Sequence, residues 1–597
     1  MKDIITNYRL DYINLKEGVL KEMRLILKYL KNYKLLIMIN IISVFGFALV
    51  ELGIPTIMAD VIDNGIANGD IEYIKRMGMV ILLISLLGTV GNIVLAYCSS
   101  KISNGMVRDI RNDIFKKSQD FSHSEYDKFG ISSMITRTTN DAFQLMQFTN
   151  TILRMALITP VMFFSSLFMI VRTNLKLSTI LLVTIPVIVI GVVIIAKTSH
   201  PISQSQQKKL DKLNQISREN LTGIRVIRAF GNDNHERVRF AENNEDYAGL
   251  SKKLFKLMAV AYPAFFYLLS IAIIIVFWIA SNMINMGTLQ VGQLVAFIEY
   301  LFHAMFSMML FSTVFTMYPR AQVSAERIEE LLNEEPLIRN PENGVKETKI
   351  KGVVEFENVT FTYPDGEEPV IKDVTFKAVK GETVAFIGST GSGKSTLINL
   401  IPRFYDVTEG SVKVDGIDVR DFDLKALRKK IGFIPQKARL FTGSIKSNIK
   451  MGKKKATTEE VEDSSKIAQA YEFISKKPKK FDEHISEGGT NVSGGQKQRL
   501  SIARAIVRRP EIYIFDDSFS ALDFKTDAEL RARLKKETQN SVVLIVAQRI
   551  GSIMDADKII VLNEGEVVGM GTHRELLKNC EIYYEIAASQ LSKEELA

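Results

Sequence analysis

The segment at residues 388–396 has the residue types and spacing that bind nucleotide phosphates. Its sequence, GSTGSGKST, matches the pattern G-x-x-x-x-G-K-[ST] and lies between the apolar run TVAFI and the helix-forming run STLINLI. The glycines let backbone N–H groups approach phosphate oxygens closely. We predict ATP and Mg²⁺ as cofactors, with Lys394 on the β- and γ-phosphates and Ser395 on the metal ion. The predicted contacts of this phosphate loop are Gly388, Ser389, Thr390, Gly391, Ser392, Gly393, Lys394, Ser395 and Thr396.

A second element of this chemistry is the sequence EIYIFDD at residues 511–517. An apolar run that ends in acidic residues is typical of a buried parallel strand that delivers a carboxylate at its C-terminal end. Downstream of a phosphate loop, Asp516 is the residue that we expect to hold Mg²⁺, through water.

The sequence NVSGGQKQRLSIARA, which starts at residue 491, predicts a second surface that recognises phosphate. Ser493, Gly494 and Gly495 precede a basic helix and offer a hydroxyl, exposed amides and a helix N-terminus. One ATP does not need two such surfaces from one chain. The arrangement makes sense if this surface covers a nucleotide that another copy or another chain holds.

Six apolar stretches precede these motifs, and each approaches the ~20 residues that cross a bilayer, so we predict about six spanning helices. The stretches are residues 35–58, 77–98, 152–171, 177–196, 257–281 and 291–313. The connections at 99–151 and 197–256 are long, charged and largely free of glycine and proline, and we predict that they continue the helices outside the membrane. Their basic residues place them in the cytoplasm together with both chain termini.

The composition agrees with a membrane part joined to a soluble part. Hydrophobic residues make up 47% and charged residues 24% of the 597 residues. The net charge of +9 fits basic segments beside a bilayer, and nucleic acid is not a predicted partner. Ionisable residues within the spans, such as Glu51 and Glu299, either line a transport pathway or reach water at helix ends.

Four segments follow from these patterns. They are an N-terminal extension with an amphipathic elbow helix (1–33), a transmembrane domain (34–320), a linker (321–345) and a nucleotide-binding domain (346–597). The predicted fold class is an α-helical transmembrane domain of about six helices with long cytoplasmic extensions, fused to an α/β P-loop nucleotide-binding domain.

The order of the motifs resembles the nucleotide-binding domain of ABC transporters. Phosphate loop, the glutamine of FIPQ, SGGQ, acidic strand and SALD follow one another as in that family, and the membrane part in front makes the chain similar to ABC exporter half-transporters. The resemblance implies that Tyr363 stacks on adenine and that Gln436 senses Mg²⁺ and contacts the membrane domain. It implies that SGGQ, with Gln496, and SALD, with Asp523, act across a dimer. Segments 122–129 and 221–230 resemble the coupling helices that dock onto nucleotide domains.

Two residues depart from the family pattern at the γ-phosphate. The family has Glu after the acidic-strand Asp and His in the following switch, whereas this chain has Asp517 and Gln548. A carboxylate drawn back by about 1.5 Å should lose much of its effect as a base, since ~1 Å misplacements cost about a hundredfold. Gln548 can donate to the γ-phosphate, but it cannot become cationic or carry a proton. We expect a site that retains ATP and hydrolyses it poorly.

This combination resembles heterodimeric bacterial exporters with one degenerate and one competent ATP site. The resemblance implies a second half-transporter as partner, rather than a homodimer, and an intact SGGQ that completes the partner's competent site. It implies a multi-pass protein of the bacterial plasma membrane with its termini and nucleotide-binding domain in the cytoplasm.

The substrate and the use of ATP leave alternatives open. Multidrug export is the common activity of the resembled family, and spans rich in Phe, Met and Ile suit amphipathic or lipid-like cargo as well as simple contact with lipid. A lipid flippase and a metal-chelate importer have the same fold. An ATP-gated channel or regulatory subunit is an alternative of another class, which transport against a gradient would separate from an exporter.

Overall fold

The computed structural model describes residues 24–592, which divide into two compact units. The first unit comprises residues 24–119 and Ser132–Glu334. The second comprises Asp120–Ile131 and residues 335–592. The predicted N-terminal extension falls mostly on residues 1–23, outside the described part of the chain. The division at 334/335 lies inside the segment that the sequence analysis assigned to a linker.

The first unit is built from long helices. They are α1 (Lys34–Asp60), α2 (Ile71–Asp120), α4 (Ile131–Thr136), α5 (Ala142–Thr151), α6 (Leu157–Thr173), α7 (Leu175–Ser178), α8 (Leu181–Ala229), α9 (Asp233–Asn285) and α10 (Val291–Asn333), with α3 (His123–Phe129) belonging to the second unit. Wider π-helical turns at Arg137–Asp141 and Ile152–Ala156 join α4, α5 and α6 without a break, and a third at Val61–Ile66 extends α1.

Six of the helical stretches are long and apolar enough to cross a membrane, which confirms the prediction of about six spans. They are Arg24–Ile66, Ile71–Asp120, Ile131–Thr173, Leu175–Ala229, Asp233–Asn285 and Val291–Phe311. Large apolar side chains on these helices, including Leu49, Leu87, Phe164 and Trp278, are exposed within the unit. An apolar outer surface of this kind is suited to lipid rather than to water.

The helices pack through a buried apolar cluster that joins α1, α6, α9 and α10. Leu52, Met162, Val276 and Phe297 are among its members, and each is at most 5% exposed. Two polar side chains, Thr56 and Tyr300, also lie in this interior, and their hydroxyls are 2.6 Å apart. A hydrogen bond of this kind satisfies groups that lipid could not solvate.

The start of the described chain lies against α2. Residues 24–30 are helical and continue into a 3-10 turn at Lys31–Tyr33. The hydroxyls of Tyr29 and Tyr33 donate to the carboxylates of Asp113 and Asp109, each at 2.8 Å. A side chain at Gly105 would overlap the ring of Tyr33, so this close approach needs glycine.

The second unit contains three sheets, built from twelve strands within the described residues. The strands are β1 (Val353–Phe361), β2 (Ile371–Val379), β3 (Thr383–Gly388), β4 (Glu409–Val414), β5 (Ile417–Asp418), β6 (Ile431–Ile434), β7 (Gly443–Ser444), β8 (His484–Ile485), β9 (Ile512–Asp516), β10 (Val542–Val546), β11 (Lys558–Asn563) and β12 (Glu566–Gly571). The helices are α11 (Lys394–Leu400), α12 (Leu424–Lys430), α13 (Ile445–Lys450), α14 (Thr458–Ile467), α15 (Tyr471–Ser475), α16 (Gly494–Ile506), α17 (Phe524–Glu537), α18 (His573–Asn579) and α19 (Glu581–Ala588).

The central sheet has the order β12-β11-β3-β10-β9-β6. The pairs from β11 to β6 are parallel and β12 is antiparallel to β11. β9 and β10 are buried along their whole length, as expected for parallel strands covered on both faces. A four-stranded antiparallel sheet, β2-β1-β4-β5, and a short β7-β8 pair complete the unit. The carboxyl ends of β3, β9, β10 and β6 therefore meet at one edge, where ligands bind in open α/β sheets.

These findings confirm the predicted fold class of a helical transmembrane domain fused to an α/β P-loop domain.

Candidate nucleotide-binding site

The phosphate loop, residues 388–396, leaves β3 and enters α11. Gly388 and Gly393 have φ of +156° and +89°. A methyl group at Gly388 would overlap the carbonyl oxygen of Leu562, and one at Gly393 would lie 2.6 Å from Ile371 Cδ1. Larger residues are therefore excluded at both positions, and the loop holds the tight shape that brings its amides together.

Lys394 folds back over this loop. Its Nζ donates to the carbonyl oxygens of Gly388 at 2.9 Å and Ser389 at 2.6 Å, and to Ser392 Oγ at 3.3 Å. The side chain is buried, and burial lowers the pKa of Lys394, an effect that the carboxylates of Asp517 and Asp516 oppose. A desolvated cation held by two loop carbonyls and a hydroxyl suits the triphosphate of a nucleotide.

Ser395 and Asp516 form a pair of oxygen ligands. Ser395, in the first turn of α11, donates its hydroxyl to Asp516 Oδ1 at 2.7 Å, and Asp516 ends β9. Burial raises the pKa of Asp516, and the hydrogen bond from Ser395 lowers it in part. A hydroxyl beside a buried carboxylate is a donor set that Mg²⁺ accepts, which fits two of the three metal ligands expected from the sequence; the third, Gln436, is hydrogen-bonded to Asp517.

Asp517 lies beside Gln436, one residue beyond β9. Gln436 Nε2 donates to Asp517 Oδ2 at 3.3 Å, so the structure brings these two predicted residues together. Asp517 has a left-handed φ of +46°, its N–H donates to the Val546 carbonyl at 3.0 Å, and its own carbonyl accepts from Ser520 Oγ at 2.9 Å. Burial raises the pKa of Asp517, and hydrogen bonds from Gln436 and Ser520 counteract this rise.

Gln548 follows β10 at the same edge of the sheet. Its side chain is exposed, whereas its carbonyl oxygen accepts from Gln590 Nε2 at 2.9 Å. Gln590 could not be found from the sequence, because a single glutamine after a helix carries no pattern.

Tyr363 lies on the other side of the phosphate loop, after β1. Its hydroxyl is 2.9 Å from Thr396 Oγ1, and its ring meets Phe361 and Tyr405 edge to face, with centroids 4.9 and 5.2 Å away. These contacts fix a half-exposed ring next to the phosphate loop, where a base can stack on it. Sequence reasoning missed Tyr405, although the aromatic pair in IPRFYD was a signal that could have found it.

The residues of SGGQ form a group of their own at the start of α16. Ser493 and Gln496 cap the helix reciprocally, with Gln496 N to Ser493 Oγ at 3.3 Å and Ser493 N to Gln496 Oε1 at 3.2 Å. Ser493 and Gly494 are exposed. Asp523 caps α17 in a similar way, through Thr526 N at 2.9 Å. Among residues 24–592, no hydrogen bond joins this group to the phosphate loop.

The first predicted coupling segment belongs to the second unit. The ring of His123 in α3 stacks on Phe404 with centroids 4.7 Å apart, and burial lowers the pKa of His123. Glu125 is 2% exposed and accepts from the backbone of both Ser122, at 2.6 Å, and Leu337, at 3.0 Å. These contacts join α3 to the nucleotide-binding region.

The second predicted coupling segment, 221–230, is not a separate helix. Its residues up to Ala229 continue α8, and the chain turns before Asp233, where α9 begins. This segment belongs to the first unit.

Comparison with known proteins gives the family. Residues 37–309 match the ABC transporter transmembrane region, and residues 371–520 match the ABC transporter family. An uncharacterised ABC transporter ATP-binding protein of Mycobacterium tuberculosis is 37% identical over 569 residues, which are 94% of this chain and 96% of the relative. The chain belongs to the ABC transporter family. This ABC transporter is a half-transporter of the exporter type, with a transmembrane and an ATP-binding region in one multi-pass chain.

Two further relatives carry more specific names. The putative multidrug export ATP-binding/permease protein YgaD of Bacillus subtilis is 30% identical, over 94% of this ABC transporter and 97% of the relative. The ATP-dependent lipid A-core flippase of Vibrio vulnificus is 28% identical, over 97% of this chain and all of the relative. As an ABC ATPase, the chain binds ATP, and its family makes it a transport ATPase.

Proposed function

We propose that this chain is one subunit of a heterodimeric exporter, in which it holds Mg-ATP at a degenerate site and completes the competent site of a second half-transporter. The observation that carries the proposal is the contrast within one site. The phosphate loop, Ser395 and Asp516 have the contacts that an ATP site needs, whereas Asp517 and Gln548 replace the Glu and His expected beside the γ-phosphate.

The backbone at Asp517 cannot move forward to compensate for the shorter side chain. Its N–H and carbonyl are both hydrogen-bonded, to Val546 and to Ser520, so its Cα is held at the end of β9. An Asp carboxylate at that position is one methylene further from an attacking water than a Glu carboxylate. Because general-base catalysis needs hydrogen-bond distance, this supports slow hydrolysis with ATP binding intact.

The exposed SGGQ group supports a role at a partner's site. Ser493 and Gly494 lie at the N-terminus of α16 and are exposed, and this end of the helix favours an anion. In the proposed heterodimer, the phosphate loop of the partner supplies that anion as bound ATP. A neighbouring chain with Glu and His at the corresponding positions is the partner that fits.

The proposal extends to location and cargo. We place the chain in the bacterial plasma membrane, with its termini and nucleotide-binding domain in the cytoplasm and with amphipathic drugs or lipid-like molecules as cargo. The six apolar spans support the location. The names of the two relatives, one for multidrug export and one for a lipid flippase, support amphipathic cargo.

The first experiment restores the two missing groups. In the complex with the partner half-transporter, whose own site is inactivated, the double variant Asp517→Glu, Gln548→His should hydrolyse Mg-ATP about a hundredfold faster than the same complex with the wild-type chain, since both groups regain family geometry. The matched control is Asp517→Asn, Gln548→Asn, which should stay as slow as the wild type. A wild-type chain that already hydrolyses as fast as the restored variant would contradict the degenerate site.

The second experiment tests the partner. Gly494→Asp should abolish ATP hydrolysis by the complex of the two half-transporters, because it puts a negative charge where the partner's phosphate is expected. No atom lies within 4 Å of an added Cβ at Gly494, so the variant should fold. Gly494→Ala is the uncharged control.

ATP-driven accumulation of a fluorescent amphipathic dye in inverted vesicles then separates an exporter from an ATP-gated channel, which cannot move cargo against a gradient.

A further inference from the structure

The side chain of Gln590 bridges the two ends of the switch, which comprises residues 548–550. Its Oε1 accepts from the N–H of Ile550 at 2.8 Å, and its Nε2 donates to the carbonyl of Gln548 at 2.9 Å. Arg549 between them is extended, with φ of −104° and ψ of 126°. A side-chain amide that pairs with both polar groups flanking an extended residue reproduces the hydrogen bonding of a neighbouring β-strand.

Gln590 is attached to a rigid support. It follows α19, in which Tyr583 and Ala587 are fully buried, and its own N–H donates to the Ala587 carbonyl at 3.0 Å. The hydroxyl of Tyr583 lies 2.7 Å from His573 Nδ1 in α18. Because α19 is anchored in the core of the second unit, the amide of Gln590 has a defined position.

The switch is held from the opposite side as well. Ile550 is fully buried, and Arg549 Nη2 donates to the carbonyl of Ser520 at 3.4 Å. Ser520 in turn donates to the carbonyl of Asp517. The backbone of the switch is therefore fixed between the C-terminal segment and the end of the acidic strand, while the side chain of Gln548 stays exposed and free to meet a nucleotide.

We propose that Gln590 is a positioning residue that aims the amide of Gln548 at the γ-phosphate and thereby lets the site distinguish ATP from ADP. The inference rests on the proposed role of Gln548 as a γ-phosphate donor. It assigns a function in nucleotide recognition to the C-terminal segment, which lies outside the motifs of the sequence. Losing the bridge leaves the α- and β-phosphate contacts of the phosphate loop untouched, so the effect should be confined to the nucleotide that carries a γ-phosphate.

The test measures affinity for Mg-AMP-PNP, whose β–γ bridge resists hydrolysis, and for Mg-ADP on the purified full-length chain. Gln590→Ala should weaken Mg-AMP-PNP binding about fivefold, the effect of one net hydrogen bond, and leave Mg-ADP binding unchanged. Gln590→Glu keeps the acceptor for Ile550 N–H but places a carboxylate oxygen against the Gln548 carbonyl, where two acceptors repel, so it should lose at least as much Mg-AMP-PNP affinity as Gln590→Ala. Ser589→Ala is the matched control, since Ser589 Oγ bonds only within its own helix, to Ile586.

Two outcomes would overturn the proposal. A Gln590→Ala variant that weakens both nucleotides equally and melts at a lower temperature makes Gln590 a purely structural residue. A variant that binds both nucleotides as the wild type does removes any role for the bridge. Neither outcome depends on how fast the site hydrolyses ATP, so the proposed degenerate site is tested separately by the restored variant Asp517→Glu, Gln548→His.

Discussion

The two sides of the nucleotide site differ in how the chain builds them. The phosphate loop is one continuous segment, shaped by glycines that lie against Leu562 and Ile371 and closed by a buried lysine. The side expected to face the γ-phosphate consists of Gln436, Asp517 and Gln548, which come from three separate segments. Gln436 is hydrogen-bonded to Asp517, whereas Gln548 is held through Gln590. A substitution on this second side can change ATP hydrolysis without changing how the nucleotide is bound. The difference explains how a chain can keep ATP binding and lose ATP hydrolysis.

We expect the largest change in nucleotide affinity when the buried lysine, Lys394, is removed. Lys394→Ala should weaken Mg-ATP binding about 10- to 100-fold, because charge-assisted hydrogen bonds to phosphate are lost. Asp517→Asn should leave the affinity within about twofold, because Asp517 contributes no phosphate ligand. Equilibrium binding of a fluorescent ATP analogue to the full-length chain measures both. Equal losses of Mg-ATP affinity in the two variants would contradict the idea that separate residues bind the nucleotide and hydrolyse it.

The same difference decides what could be predicted from sequence. The phosphate loop, the carboxylate of Asp516 and the six spans were predictable because each is a local pattern that carries its own geometry. Neither Tyr405 nor Gln590 was predicted, since their roles arise from contacts with residues about 40 positions away.

The two predicted coupling segments also differ in ways that their sequences did not predict. Segment 122–129 forms the helix α3 and joins the second unit through His123 and Glu125, whose partners Phe404 and Leu337 lie more than 200 residues away. Segment 221–230 has a similar place in the sequence but continues α8 and stays in the first unit. The two segments therefore differ both in local helix structure and in the unit to which they belong.

A smaller effect should appear on the adenine side of the phosphate loop. Tyr405→Ala removes the ring that supports Tyr363 edge to face at 5.2 Å, and such aromatic pairs contribute about 1 kcal/mol. We expect Mg-ATP binding to weaken about fivefold, whereas binding of Mg-tripolyphosphate, which has no base, should not change. Isothermal titration of both ligands measures the difference.

Tyr405→Phe is the control for this prediction, because it keeps the ring. Burial raises the pKa of Tyr405 to about 12, so its hydroxyl stays neutral at any working pH, and the binding effect should not depend on pH. A loss of tripolyphosphate affinity in Tyr405→Ala would show that the ring supports the phosphate loop rather than the base.

The smallest expected effect is on the thermal stability of the nucleotide-free protein, which burial of the Asp517 carboxylate lowers. Burial raises the pKa of Asp517 above that of an unfolded chain, so the folded protein disfavours the ionised carboxylate. Stability is therefore highest below the unfolded value, near 3.9, and is lost as pH rises through the raised folded value. At pH 7.5 the nucleotide-free variant Asp517→Asn should melt about 2 °C higher than the wild type, because it has no charge to bury. Asn also tolerates the φ of +46° at this position.

The pH dependence of this difference is the decisive part of the measurement. As pH falls below the unfolded value, near 3.9, the wild-type carboxyl becomes neutral in both states, and the two melting temperatures should converge. A variant that melts lower than the wild type at pH 7.5 would mean that attraction to Lys394 and the hydrogen bond from Gln436 outweigh burial. The Asp517 carboxylate would then stabilise the nucleotide-free site through its attraction to Lys394 and its hydrogen bond from Gln436.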